Sequence, residues 1–317
     1  MDRPEPPARV HDVPCPLCGS RSFTPLLRSA AQMTSRRESF RFARCRYCNL
    51  VYLNPRVAEV DIGLFYGADY PPHRGPDAWG RFAPLVRLGQ HHLDQERVRI
   101  TARVAELTHR SRVLDVGCGR PSFLLQLHRT LHTHCVGIDV SDEGWRSAPA
   151  EFRPLTLHRG TIHDVKLKPT FDVVTMWHSI EHEAEPVSAL RRLRALATDS
   201  TTLVIETPNF DSLTRRAHGS RWAGFHTPRH MAVYAPSTLT RLLETTGWRL
   251  THLQTWATLD AYLLWWLGRK DRQGRLQGGN LERLFLPFVA GKIASWPVRW
   301  VERSVSLGLM LALARPG

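Results

Sequence analysis

The chain is 317 residues long. It is short of acidic residues, of long uncharged apolar runs and of the glycine spacing that cradles a pyrophosphate. Lys and Arg number 43 against 29 Asp and Glu, a formal net charge of +14. So large an excess calls for an anionic partner, whether nucleic acid, a phosphate-bearing small molecule or a membrane surface, without choosing among them. No uncharged apolar stretch reaches the roughly 18 residues that a spanning helix needs, which argues against a transmembrane protein. The opening MDRPEPPARVHDVP is polar and proline-rich and has no apolar signal-peptide core. The cytoplasm is the expected compartment, with peripheral contact at the inner membrane face left open.

What is present begins with RVLDVGCG at 112–119. A short apolar run (Val113, Leu114, Val116) ends in a glycine-rich turn, the helix-compatible FLLQLHRTL follows, and a second apolar run closes on Asp139. That order is strand, tight turn, helix, strand. Gly117 and Gly119 let the backbone approach a ligand, and a carboxylate at 139 can accept hydrogen bonds from a ribose diol. A dinucleotide site wants G-x-G-x-x-G, and no glycine stands three residues after Gly119. Asp115 instead sits two residues before the first glycine, where it suits a nucleoside ligand bearing an ammonium group and no phosphate.

Four of the six cysteines fall in two C-x-x-C pairs, Cys15 with Cys18 in CPLCGS and Cys45 with Cys48 in CRYCNL. In an intracellular chain, paired knuckles favour tetrahedral Zn²⁺, with a disulfide or redox pair as the alternative. Four thiolates fill the coordination sphere, so the metal is expected to be structural. Cys118 and Cys135 are expected to be packed thiols.

The organisation that follows is a zinc ribbon over 1–60, a linker and helical lead-in over 61–110, and an α/β domain over 111–317. The ribbon carries the strand-like SFTPLL, SFRFARC and LVYLN. The linker is rich in proline and glycine at 71–80, and a helix is expected from Phe82 to about His109. In the third part VLDVG, HCVGIDV, PLTLHRG, FDVVTMW, TTLVIETP and WRLTHLQTW read as strands. PVSALRRLRAL and PSTLTRLLETTG read as helices, the latter with Ser237 as N-cap and Gly247 as stop signal. GLMLALARP is expected to close the sheet as an antiparallel strand. Such alternation predicts a doubly wound sheet with ligands at the carboxyl ends of its strands. An insertion at 259–305 is rich in Trp, Leu and Phe and punctuated by Arg and Lys. It reads either as an amphipathic element that touches lipid or a lipid-linked substrate, or as a lid or homodimer face.

The D-x-G-x-G of Asp115, Gly117 and Gly119 resembles the first motif of the class I S-adenosylmethionine methyltransferases, with Asp139 matching their ribose-binding acid. Pro121 stands where a third glycine is usual, which implies a changed loop with binding retained. The two-knuckle module running into LVYLNPR and LFYGADY is similar to the N-terminal ribbon of bacterial sugar and secondary-metabolite methyltransferases. FDVVTMWHSIEHEAEP and RWAGFHTPRHMAVYAPSTLTRLLETTGW resemble two further segments of that superfamily. The resemblance implies a seven-stranded, Rossmann-like sheet that binds S-adenosyl-L-methionine. Asp115, Gly117 and Gly119 would line the methionine end, with the backbone of Trp177 and His178 nearby. Asp139 would hold the ribose, and Thr161 and Ile162 would meet the adenine.

Methyl transfer is an in-line displacement, so the enzyme must position a nucleophile and remove its proton. His182, just past the fourth strand, is the first candidate base, and Glu181 would orient it or take the proton itself. His226 and His230 are second candidates. Arg229 is a candidate phosphate ligand through its planar fork, and Asp164 is a loop or cap residue. The function implied is methyl transfer to O or C of a small molecule such as a sugar, glycolipid or secondary-metabolite intermediate. One alternative is an RNA methyltransferase whose ribbon and charge grip nucleic acid, although no N-P-P-Y-type motif is present. Another is a non-catalytic scaffold, for which only Pro121 speaks.

Overall fold

The computed structural model describes residues 6–66, 75–168, 170–272, 281–302 and 304–317. Part of LFYGADY, the first part of the expected linker and residues 273–280 of the insertion lie outside the described residues.

The first part of the chain forms β1 (Val10–His11), β2 (Phe23–Ala30), β3 (Ser39–Cys45), β4 (Val51–Leu53) and β5 (Arg56–Val57). β1 pairs with β5, while β2, β3 and β4 form an antiparallel meander. The period of two in β3 sets its two faces. Phe40 and Phe42 join Phe65, Trp222 and Phe225 in one cluster, and Ala43 and Cys45 pack in another with Leu114 and Met176. The ribbon therefore shares a core with the domain that follows.

The lead-in helix runs over Ala83–Ala105. Then come β6 (Arg112–Val116), β7 (His134–Asp139), β8 (Thr156–Arg159), β9 (Phe171–Trp177), β10 (Ala197–Pro208), β11 (Ala232–Val233), β12 (Trp248–Gln254) and β13 (Leu309–Pro316). Seven of these build one sheet in the order β12-β13-β10-β9-β6-β7-β8. β13 runs antiparallel to both neighbours, and the pairs among β10, β9, β6, β7 and β8 are parallel. This is the expected doubly wound sheet with a closing antiparallel strand. The chain reverses direction across the sheet between β6 and β9, and such a switch point opens a crevice at the strands' carboxyl ends.

β11 departs from the expected plan. It leaves the large domain and closes the ribbon sheet, with Ala232 opposite Tyr52 and Val233 opposite Val51. The helix after it begins at Pro236, and its N-cap is Ala235 rather than Ser237. Proline preset for the first helical position starts the helix two residues early, and the Ala235 N–H donates to Thr238 Oγ1 at 2.9 Å.

The insertion carries the helices Ala261–Arg272 and Phe285–Ala294. Its inner face packs on the lead-in and the ribbon. Trp266 stacks on Trp79 at 5.9 Å, Phe285 stacks on Phe82 at 4.3 Å, and Asp271 Oδ1 accepts the Met33 N–H at 3.0 Å. Leu286, Ile293, Trp296 and Trp300 remain exposed. No helix among the described residues is long and apolar enough to cross a membrane.

Candidate functional site

β6 ends in a turn through Gly117 at φ 77° and Gly119 at φ 49°, a region that side chains with a Cβ rarely enter. At Gly117 a Cβ would also collide with the side chain of Ser179, and at Gly144 it would strike the backbone of Gly119. The Gly117 and Cys118 N–H groups both donate to Ile138 O, at 2.8 and 3.0 Å, which ties the turn to β7. Asp139, at the end of β7, caps it: Oδ2 accepts the Gly119 N–H and Oδ1 the Ser141 N–H, each at 2.9 Å. Each oxygen keeps a second lone pair, which is what a ribose diol requires.

Asp115 is 3% exposed and accepts the Thr175 hydroxyl at 2.7 Å. Burial pushes its carboxyl up to about 7, and an ammonium group brought beside it would draw it down again. Trp177 Nε1 and Ser179 Oγ, at the end of β9, are buried without a hydrogen-bond partner among the described residues. Orphaned polar atoms beside a glycine cradle fit a polar ligand between β6 and β9. Thr161 and Ile162 follow β8. The Thr161 N–H and hydroxyl both donate to Asp164 Oδ2, so Asp164 fixes this loop, while the Ile162 side chain is buried in the core.

Beyond β9 the chain turns through His178 at a left-handed φ of 56°. Its Nε2 lies 2.9 Å from Glu206 Oε1 and its Nδ1 3.3 Å from Glu181 Oε1. Burial opposes its charge, but the two carboxylates outweigh burial and raise it to about 9. It is an imidazolium at neutral pH. Burial likewise opposes charge on Glu181, yet His178 holds it down at about 2. Glu181 Oε2 accepts the Thr207 hydroxyl at 2.9 Å. Glu206 accepts the Thr258 N–H at 2.7 Å and lies 3.9 Å from Arg97. Glu181 thus makes its side-chain contacts with His178 and Thr207, not with His182.

His182 closes the turn Ile180–His182, and its Nδ1 donates to Arg229 O at 3.1 Å. His230 Nδ1 donates to Gly224 O at 2.8 Å. A carbonyl only accepts, so both imidazoles carry their proton on Nδ1 and a lone pair on Nε2. Burial lowers the pKa of His182 and takes that of His230 down to about 3. Both are neutral at pH 7. The His230 ring lies 4.6 Å from His182 and 5.0 Å from His226, near perpendicular to each. Arg229 is not a phosphate ligand as considered above. Its guanidinium is fully buried and donates to Gln32 O at 2.8 Å, Met33 O at 3.3 Å and Phe65 O, so it clamps the histidine loop to the ribbon. The Met231 N–H donates to Glu181 O at 2.7 Å, and Thr227 Oγ1 to Ser29 Oγ at 2.8 Å.

A family model described as the methyltransferase domain matches residues 90–253, from the lead-in helix through most of β12. The chain belongs to the methyltransferase domain family. The ubiquinone biosynthesis O-methyltransferase of Haemophilus ducreyi is 30% identical over 147 residues, 43% of this chain and 60% of that protein. That of Hahella chejuensis is 27% identical over 164 residues, 48% of this chain and 64% of that protein. The match therefore spans less than two thirds of the length of either relative. A solved structure from Galdieria sulphuraria, assigned as a sarcosine dimethylglycine methyltransferase, shares the fold at a TM-score of 0.50 and 12% identity, over 73% of this chain and 87% of that one.

Outside the stretch matched to the methyltransferase family, Cys15, Cys18, Cys45 and Cys48 bring their Sγ atoms within 4.8 Å of one another. Cys15 and Cys48 are 3.4 Å apart, Cys18 and Cys45 3.5 Å. Those separations are far from the ~2.05 Å of a disulfide and near the ~3.7 Å edge of a tetrahedron with Zn–S of about 2.3 Å. Gly19 (φ 73°) and Asn49 (φ 62°) turn the two knuckles, and their N–H groups donate to Cys15 O and Cys45 O. The donor set fits a tetrathiolate metal site. Cys118 and Cys135 are buried thiols.

Sequence reasoning missed Glu206, Thr175 and Thr207. The signal for Glu206 was available, because an acid within the run LVIETP is buried and must be paired. It also missed a cavity of about 710 Å³ between the insertion and the helix after β10, walled by Leu213, Trp265, Pro287 and Val298 with Arg269 and Lys270.

Proposed function

We propose that the protein transfers a methyl group from S-adenosyl-L-methionine to an oxygen of a small hydroxylated molecule with an apolar or lipid-linked portion. S-adenosylmethionine supplies an electrophilic methyl on a sulfonium centre. Asp139 holds the ribose through its spare lone pairs, Asp115 pairs with the ammonium, and the glycine turn leaves room for the chain between them. Thr161 and Ile162 border the adenine, and the backbone of Trp177 and His178 borders the methionine moiety. On the acceptor side, Nε2 of a neutral imidazole takes the hydroxyl proton as its oxygen becomes the nucleophile. His182 is the first residue for that role, five positions past the end of β9, with His230 beside it. Glu181 fixes the turn from behind.

The observation that carries this reading is the pair of neutral imidazoles fixed by main-chain carbonyls next to a nucleoside crevice. The relatives named as O-methyltransferases of ubiquinone biosynthesis favour oxygen over carbon as the acceptor atom. The cavity beneath the insertion has walls suited to an alkyl or prenyl chain, with cationic residues suited to a phosphate. A structural Zn²⁺ in the Cys15, Cys18, Cys45 and Cys48 site would hold the ribbon, and the ribbon clamps the acceptor loops.

The test is transfer of labelled methyl into a host-cell extract that is then partitioned. Label in lipid or polar small molecules, lost in His182→Ala with cofactor affinity retained, supports the proposal. Label in RNA overturns it in favour of a nucleic-acid substrate.

A further inference from the structure

A single base needs one imidazole, and this site gathers three from two separate segments. His182 comes from the turn after β9, and His226 and His230 from the loop between β10 and β11. We propose that His182, His226 and His230 form a mononuclear divalent-metal site, distinct from the cysteine site, whose remaining position is open to water or to an acceptor oxygen.

The geometry supports this in four ways. One ligand atom from each of the three side chains lies within 4.8 Å of the others. Zn–N bonds of about 2.0–2.1 Å require nitrogens roughly 3.3 Å apart, so closure asks for a contraction of at most ~1.5 Å, within reach of side-chain rotation. The Nδ1 atoms of His182 and His230 are already committed to Arg229 O and Gly224 O. A carbonyl on the far nitrogen is the outer-shell partner that orients a metal-ligating histidine and fixes its tautomer. The loop is also held in an unusual conformation, with His226 at a left-handed φ of 39°, and such outliers in non-glycine residues gather at functional positions. Finally, His230 is buried while His182 and His226 are only partly so, which leaves the cluster open on one side.

Donor chemistry narrows the ion. Three neutral nitrogens without a thiolate suit Zn²⁺ or another imidazole-preferring transition ion over Mg²⁺ or Ca²⁺. Three protein ligands with one open position is the arrangement of catalytic rather than structural zinc. Only the occupant of that position rests on the function proposed above: an acceptor hydroxyl bound there would become more acidic. Because the imidazole lone pairs are taken by the ion in the metal-loaded site, its proton would leave to solvent rather than to His182.

The experiment is equilibrium dialysis of the full chain against Co²⁺, with metal analysis and an absorption spectrum. The expected result is two ions per chain, one with the thiolate-to-metal charge transfer of the cysteine site and one without it. His226→Ala and, separately, the more conservative His226→Gln should lose the second ion alone and keep the thiolate bands, which also reports that the ribbon has stayed folded. Wild-type protein that takes up only the thiolate-bound ion overturns the proposal, as does a second ion retained undiminished in both variants. Methyl-transfer assays are scored separately. Two ions without transfer activity would sink the proposed function and leave the metal site standing, whereas transfer with only the thiolate-bound ion would do the reverse.

Discussion

Removing the charge of His178 should change both the stability of the protein and the way that stability depends on pH. In the folded chain its pKa is raised to about 9, because Glu206 at 2.9 Å and Glu181 at 3.3 Å outweigh burial. In the unfolded chain it returns to about 6.5. The folded state binds this proton more tightly, so the stabilisation is complete below pH 6.5 and disappears as pH rises through about 9. A shift of ~2.5 units at 1.36 kcal/mol per unit gives roughly 3 kcal/mol. Because 21% of the side chain is exposed and water weakens the pairing, about 2–3 kcal/mol is the working figure. His178→Asn also leaves Glu181, 1% exposed, without a cation, and leaves Glu206, 0% exposed, with only Arg97 at 3.9 Å. Truncating a buried pair in this way costs about 3–5 kcal/mol, less what protonation of one carboxylate recovers. Urea unfolding at a series of pH values from 6 to 10 measures both effects. The wild-type free energy should fall by about 2–3 kcal/mol more than that of His178→Asn across the range, so that the gap between them narrows with rising pH. Parallel curves would show that His178 is not held charged by Glu181 and Glu206.

Three further outcomes follow from the two ligand sites. In the proposed binding mode Asp115 must be ionised to pair with the ammonium, and burial lifts its pKa to about 7, so S-adenosylmethionine should bind more weakly as pH drops below 7. Calorimetry should find that Asp115→Asn removes this dependence, and an unchanged pH profile in the variant would refute the pairing. Asp139→Ala should lose charge-assisted hydrogen bonds worth about 1.5–3 kcal/mol, roughly 10–100-fold in cofactor affinity, and equal affinity by the same method would remove Asp139 from the ribose. Metal analysis of Cys45→Ser should show loss of the thiolate-bound ion and a lower melting temperature, whereas an unchanged metal content would argue against a tetrathiolate site.

The sequence made the large sheet legible because each of its strands carries its own short-range pattern. β9 is buried at every position but one, the apolar run expected of a central parallel strand. The glycines and acids at the ends of β6 and β7 are equally local, since a left-handed turn and the carboxylate that caps it lie within one strand–helix–strand unit. The missed features are non-local. β11 is two residues long, too short to show a period, and exists only because Tyr52 and Val51 present an open edge to it. The pairing of Glu206 with His178 likewise joins β10 to the turn after β9, a neighbourhood that depends on the order of the sheet.

These non-local contacts change what the ribbon is for. A cysteine-bound module at the head of a basic chain suggests an appendage that grips a partner, and its separation from the methyltransferase motifs encourages that view. In the folded protein β4 pairs with β11, which starts two residues after His230, and Arg229 reaches back to the carbonyls of Gln32 and Met33. Arg56 of the ribbon donates to Ala184 O, two residues past His182. Both histidine-bearing segments are therefore fixed from the ribbon side, while the cofactor turn is fixed from the side of β7. The histidine cluster and the glycine turn are held by different parts of the fold, and damage to the cysteine site should disturb the histidine cluster before it disturbs the glycine turn.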